Sequence, residues 1–327
     1  MITTITLNPC IDKTIEIDTF KLGKTNIVRS VREHIGGKGI NVSVVLGRLN
    51  VENKAAGFIY REDERRVMQF LQNEGCRTCF TEAAGRLRTN VKIFERNTGR
   101  MSELNEKGKL IDSGDLDRFF EELDENLKDT SIAVINGSVP PGVPADTYKR
   151  IIQRANENGI ITVLDASGEL LRKGIEANPF LVKPNLQELE ETFQKKLDTL
   201  EKIVHMGQEL VKGGVKYVCI SLGSEGAVLV TDAHAFFAEP LQIEVRGVQG
   251  AGDSMVAGFC YGISNGCSEE EIFRYGMACA AASLIRPGTE LCKKKDIEKM
   301  LPLVRITCLK GKKVGELYGN NDEGNPF

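Results

Sequence analysis

The chain has 327 residues, 41% of them hydrophobic and 27% charged, and a formal net charge of −3. That composition is globular and large enough for one sizeable core, which excludes a disordered chain. The charge balance offers no basic face for nucleic acid, and no apolar run is long enough to span a bilayer.

In chain order, the predicted elements begin with a strand at Ile2–Leu7. A run this short and this soon followed by Asp12 and Lys13 is not a secretory signal, so a cytoplasmic protein is expected. Thr14–Asp18 alternates apolar and polar residues, as a one-sided strand does, and Thr89–Glu95 repeats the pattern. Between them lie amphipathic helices at Lys38–Leu49 and Asp63–Asn73. A helix at Asp115–Leu127, a strand at Ile132–Asn136, a helix at Asp146–Glu157 and a strand at Ile160–Leu164 follow. A helix at Ile203–Lys212 and a strand at Tyr217–Ser221 continue the rhythm. Short Ile- and Val-rich runs alternating with helices predict an α/β fold with a central, mostly parallel sheet. The two one-sided strands form a small β-flap beside it, with one apolar face to cover a substrate or to meet a second subunit. Lys310–Phe327 is polar and reads as a loose tail.

Nine scattered cysteines, an odd number, are expected as reduced thiols. Cys76 and Cys79 form a CxxC, but no second pair accompanies it, and His34, His205 and His234 show no metal spacing. Two thiols on a turn after a helix are expected there.

Four segments carry chemistry. Gly250-Ala251-Gly252-Asp253 precedes an apolar-periodic helix. Small residues at a helix start leave backbone N–H groups free around one point, suited to an anion whose charge grows during reaction. Asp253 beside them can take a proton from an attacking hydroxyl, or it can simply cap the helix. Gly36-Gly37-Lys38-Gly39-Ile40-Asn41 opens the second segment. It is no NTPase P-loop, because Gly39 stands where Ser or Thr is required. Lys38 supplies charge and Asn41 both donor and acceptor for a sugar, unless this is a plain flexible turn. In Lys183-Pro184-Asn185-Leu186-Gln187-Glu188, Asn185 and Glu188 face one way and could hold the water shell of Mg²⁺. The same spacing is a capping box, which local sequence favours. Ser221-Leu222-Gly223-Ser224-Glu225-Gly226 ends a strand in a glycine turn at the carboxyl edge of the sheet, or forms a hairpin.

Taken in order, these segments resemble the ribokinase-like (PfkB) sugar kinases over about residues 1–300. TLNPCID (Thr6–Asp12), RTNVKI (Arg88–Ile93), GSVPPGVP (Gly137–Pro144) and LDASGE (Leu164–Glu169) add to the match, and GAGDSMVAGF (Gly250–Phe259) is its most specific part. The resemblance implies one kinase domain over 1–310, with flap segments at about 10–35 and 86–106 and a tail at 311–327. It implies Asp253 as general base and the Gly250–Gly252 backbone as anion hole. Asp12, Gly36, Gly37, Lys38 and Asn41 would contact the sugar. Arg88, Lys38 and Ser138 would hold a phosphate already on it. Lys183, Asn185, Ser221, Gly223, Ser224, Glu225, Gly226 and Gly252 would line ATP, with Mg²⁺ organised by Asn185 and Glu188. RTNVKI and Glu103–Gly108 lean toward fructose 1-phosphate as acceptor, giving fructose 1,6-bisphosphate. Tagatose 6-phosphate is the alternative, and a non-catalytic sensor a remoter one. A homodimer clasped through the flap is also implied. Gln249 departs from the apolar residue usual before this glycine, and Arg246-Gly247 from the usual Asn-Thr, which leaves a monovalent-cation site there open.

Overall fold

Val- and Ile-rich runs in this chain are apolar on both faces, so they must be covered on both sides, and the chain does this with helices. A computed structural model describes residues 1–309; the expected tail at 311–327 lies outside the described residues. Ten strands form the main sheet. From one edge they run β5 (Arg77–Ala83), β4 (Asn53–Tyr60), β1 (Ile2–Thr6), β8 (Ile132–Asn136), β9 (Ile161–Asp165), β10 (Leu181–Val182) and β11 (Tyr217–Ser221), all parallel. Then β12 (Ala227–Thr231), β13 (Ala235–Ala238) and β14 (Ile306–Cys308) continue the sheet antiparallel. β1, β4, β8 and β12 are buried along their whole length.

Helices α1 (Lys38–Arg48), α2 (Glu64–Asn73), α3 (Ser113–Leu127), α4 (Thr147–Glu157) and α5 (Gly168–Ile175) cross over between parallel strands. The C-terminal half adds α6 (Leu186–Phe193), α7 (Leu200–Lys212), α8 (Ala251–Ser264), α9 (Glu269–Leu284) and α10 (Lys294–Met300). α8 is apolar nearly all round, with Val256, Phe259 and Cys260 fully buried, which is why it runs through the interior beside α1 and α9.

The flap is a second sheet of four strands, ordered β3 (Ser30–Gly36), β2 (Cys10–Ile17), β6 (Arg88–Glu95) and β7 (Met101–Asn105). The two one-sided strands seen in the sequence are its centre and pair parallel, Thr14 opposite Lys92. Its edges, β3 and β7, lack a clear alternation in sequence. So do β4, rich in Ala and Gly, and the two-residue β10.

The CxxC is split. Cys76 follows α2, but Cys79 lies inside β5 rather than on the turn, because the strand begins at Arg77. All nine cysteines are unpaired.

Candidate active site

Gly250 is the N-cap of α8, at φ +73°, and a Cβ there would meet Leu291 Cδ2 at 2.4 Å. Only glycine satisfies both demands cheaply. The turn sets Asp253 in the first turn of α8, where it is 7% exposed. α8 has no side-chain cap, so the capping reading of Asp253 fails. Its Oδ2 accepts instead from Asn41 Nδ2 at 2.7 Å. Asn41 lies one turn into α1, which starts after Gly37. Burial pushes the Asp253 carboxyl up to about 6, against the opposing pull of Lys38.

Next to it is an ion triad around a buried carboxylate. Asp165, at the end of β9, is wholly buried, and one of its oxygens faces both Lys38 Nζ at 3.2 Å and Lys183 Nζ at 3.3 Å. Its other oxygen has no hydrogen-bond partner among the described residues. Burial alone would raise the Asp165 carboxyl, but the two ammonium groups outweigh it and hold it below the ordinary range. Lys38 is pushed down by burial and up, more strongly, by Asp165 and Asp253. Lys183 Nζ lies 3.3 Å from where a Cβ on Gly252 would sit, so its charge stands at the start of α8. With Asp253 ionised the two carboxylates balance the two ammonium groups, which stand next to the free helix N–H groups.

The flap forms the opposite wall of a cavity of about 440 Å³ that contains Asp253, Lys38, Asn41, Asp12 and Arg88. Asp12 accepts from Asn90 Nδ2 at 3.3 Å and pairs with the buried Lys92 at 3.2 Å. A Cβ on Gly36 would fall 2.6 Å from Asp12 Oδ2, so a bare backbone is needed there. Arg88 is fixed by backbone oxygens, donating to Asn8 O at 3.2 Å and Glu106 O at 3.0 Å. It also lines an adjoining cavity of about 220 Å³ with Ser138, Asn8 and Asn136. Ser138 Oγ accepts from Asn8 Nδ2 at 3.1 Å, while both amide atoms of the fully buried Asn136 lack partners among the described residues.

On the other side, Asn185 and Glu188 make the capping box of α6, as local sequence favoured. That box uses Glu188 Oε2, and Asn185 also bridges to Ser221 across the sheet edge. Lys183, Asn185, Glu188 and Ser221 all line the cavity. Gly223–Glu225 is a single 3₁₀ turn joining β11 to the antiparallel β12, so the hairpin reading holds, and Gly223, Ser224, Glu225 and Gly226 lie outside the cavity wall. Ala251 is also off that wall, whereas Gly250 and Gly252 are on it. Among the described residues, no three His, Cys, Asp or Glu side chains are grouped as metal ligands.

A wider groove of about 690 Å³ runs along α7, but its Lys195 and Lys202 are already paired with Glu209 and Asp198, and it holds none of these residues. Sequence reasoning missed Asp165, Asn90, Lys92 and Gln249 as site residues. Asp165 was hidden in a strand-end motif, and Asn90 and Lys92 share the alternating face of β6. Only the pairing of β6 with β2 reveals which face looks inward.

A profile described as "pfkB family carbohydrate kinase" matches residues 5–296. A curated 1-phosphofructokinase from Bacillus subtilis is 37% identical, covering 94% of this chain and all of its own length. One from Borreliella burgdorferi is 34% identical, covering 94% of this chain and 98% of its own. Phosphofructokinase-2 from Escherichia coli, solved in complex with potassium, superposes with a TM-score of 0.86 at 28% identity, covering 92% of this chain and 98% of that one.

Proposed function

Because the chain belongs to the pfkB family of carbohydrate kinases, it is an ATP-dependent sugar kinase, and we propose that it converts fructose 1-phosphate to fructose 1,6-bisphosphate. One observation carries the reading. A buried carboxylate at a helix start and a backbone-anchored arginine stand on different walls of a single cavity. A sugar with phosphate at one end and a free primary hydroxyl at the other fits such a pair. The names of the full-length relatives favour fructose 1-phosphate over tagatose 6-phosphate.

In this reading Arg88, Lys38 and Ser138 hold the substrate's phosphate, where a guanidinium suits bidentate contact. Asp12, the backbone of Gly36 and Gly37, and Asn41 hold the sugar hydroxyls. Asp253 accepts the proton of the free hydroxyl, whose oxygen bonds the terminal phosphorus of ATP as the bridging bond to ADP breaks. The backbone of Gly250, Ala251 and Gly252, with Lys183 beside it, takes up the charge on the moving phosphoryl group. Ser221 and the Gly223–Gly226 turn flank the nucleotide.

Asn185 and Glu188 fit an outer-shell Mg²⁺, since the capping box leaves Glu188 Oε1 for a metal-bound water, and the ion would neutralise triphosphate charge. Thr289 Oγ1, buried without a partner among the described residues, suits a monovalent cation near the loop after α9, and the E. coli neighbour was solved with potassium. Nine unpaired thiols suit a reducing cytoplasm. No described helix is long and apolar enough to cross a membrane. A homodimer through the flap completes the reading.

Comparing kcat/KM for fructose 1-phosphate, fructose 6-phosphate and tagatose 6-phosphate tests the acceptor. Fructose 1-phosphate is expected to lead, and a preference of about tenfold or more for either other sugar would overturn it.

A further inference from the structure

Gln249 is the residue that departs from the apolar side chain usual before the Gly250 turn, and its side chain does not point into solvent alone. Lys92 on β6 and Glu103 on β7 are directly opposite each other across the flap's antiparallel edge. A direct ion pair between them would be the ordinary arrangement. Here the Gln249 amide stands between the two. Its Oε1 accepts from Lys92 Nζ at 2.5 Å, and its Nε2 donates to Glu103 Oε1 at 3.0 Å. Lys92 in turn pairs with Asp12 on β2 at 3.2 Å.

We propose that Gln249 is a positioning residue that latches the flap to the loop carrying the anion hole. An amide offers its acceptor to the ammonium and its donor to the carboxylate, so both halves of the cross-strand pair are bound by one side chain. An apolar residue at 249 matches neither, and leaves the buried Lys92 with Asp12 as its one ion partner among the described residues. The latch spans from Asp12, on the sugar side, to the residue next to Gly250. It therefore ties the position of the sugar wall to that of the phosphoryl-receiving wall. The idea rests on the proposed roles of these walls, but its geometry does not depend on which sugar is accepted.

The direct test is amide hydrogen exchange of the ligand-free protein, read by peptide. In Gln249→Leu, peptides of β6 and β7 should exchange faster, while those of β8 and β12 keep wild-type protection and report an intact core. KM for fructose 1-phosphate should rise roughly tenfold, with a smaller change in kcat. Exchanging the two side chains, Glu103→Gln with Gln249→Glu, keeps net charge and restores an acceptor for Lys92 and a donor–acceptor pair between 103 and 249. Slow flap exchange and low KM should return in that double variant. Flap protection and KM unchanged in Gln249→Leu would overturn the latch, as would a double variant no better than Gln249→Glu alone. If the unaltered protein fails to turn over fructose 1-phosphate, the acceptor assignment fails, and the exchange comparison still decides the latch.

Discussion

Asp253 sits where two demands conflict. Its carboxyl, raised by burial to about 6, must be ionised to act as the proposed base, yet ionising it in that place costs stability. Activity should therefore fall as pH drops through about 6. The stability effect has the opposite sense. With a folded-state value above the ordinary 3.8, the native protein holds the proton more tightly than the unfolded chain. This group then favours folding least above about pH 6, by at most about 3 kcal/mol relative to acid conditions. Asp253→Asn removes both effects. Its kcat should be lower by roughly 10²–10⁴, and its Tm should exceed wild type at about pH 8 by more than at about pH 5. Near wild-type turnover would sink the base assignment, and a pH-independent Tm difference the electrostatic account. Arg88 is held by backbone oxygens rather than by a carboxylate, so its charge is free for an anion. Arg88→Ala should weaken fructose 1-phosphate by about 1.5–3 kcal/mol, read as a higher KM with kcat less affected. An unchanged KM would move the anchor to Lys38. Asp253, Arg88 and Lys38 could be named from sequence because each sits in a local motif. Asp165 lies in such a motif too, Leu164–Glu169, but was not named, since its meaning comes from two lysines at positions 38 and 183 that only the folded sheet brings together.

The flap shows how far period-two alternation carries. Thr14–Asp18 and Thr89–Glu95 alternate clearly and were legible as strands, whereas Ser30–Gly36 carries charges on both faces and Met101–Asn105 is exposed along its whole length, and neither was. Register supplies what pattern could not. Asp12, Asn90 and Lys92 share the cavity face. The intervening row sets Ile15 beside Ile93 and Val31, and Val91 beside Leu104, on the far side. Val31 and Leu104 are 49% and 58% exposed, an apolar strip left uncovered by the described residues. A second copy burying this strip is the proposed clasp. Leu104→Glu should shift light-scattering mass from dimer to monomer and lower flap stability, and a wild-type monomer at micromolar concentration would remove the clasp. The Asn185–Glu188 spacing teaches the converse lesson. There the local signal was a cap and the cap is what formed, so any role toward Mg²⁺ is added to a structural task rather than replacing it.

At the scale of the molecule, α/β class and a mostly parallel sheet followed from alternating apolar runs and amphipathic helices. The three antiparallel strands at one edge did not, since β13 and β14 are four and three residues long. β4 was lost to its Ala and Gly content, although it is buried throughout next to β1. The sheet order also sets how remote the site's parts are in the chain. The hydrogen bond between Asn41 and Asp253 joins residues 212 positions apart. At roughly 5–20 residues per second, synthesis of the intervening chain takes about 10–40 s. A ribosome-bound fragment can therefore display Lys38 for about 10–40 s, and the completed flap with Arg88 for about 7–30 s, before Asp253 is made. On the proposed roles the polypeptide gains its chemistry in one late step, and truncated products released by stalled translation carry the proposed sugar-facing residues without the proposed base.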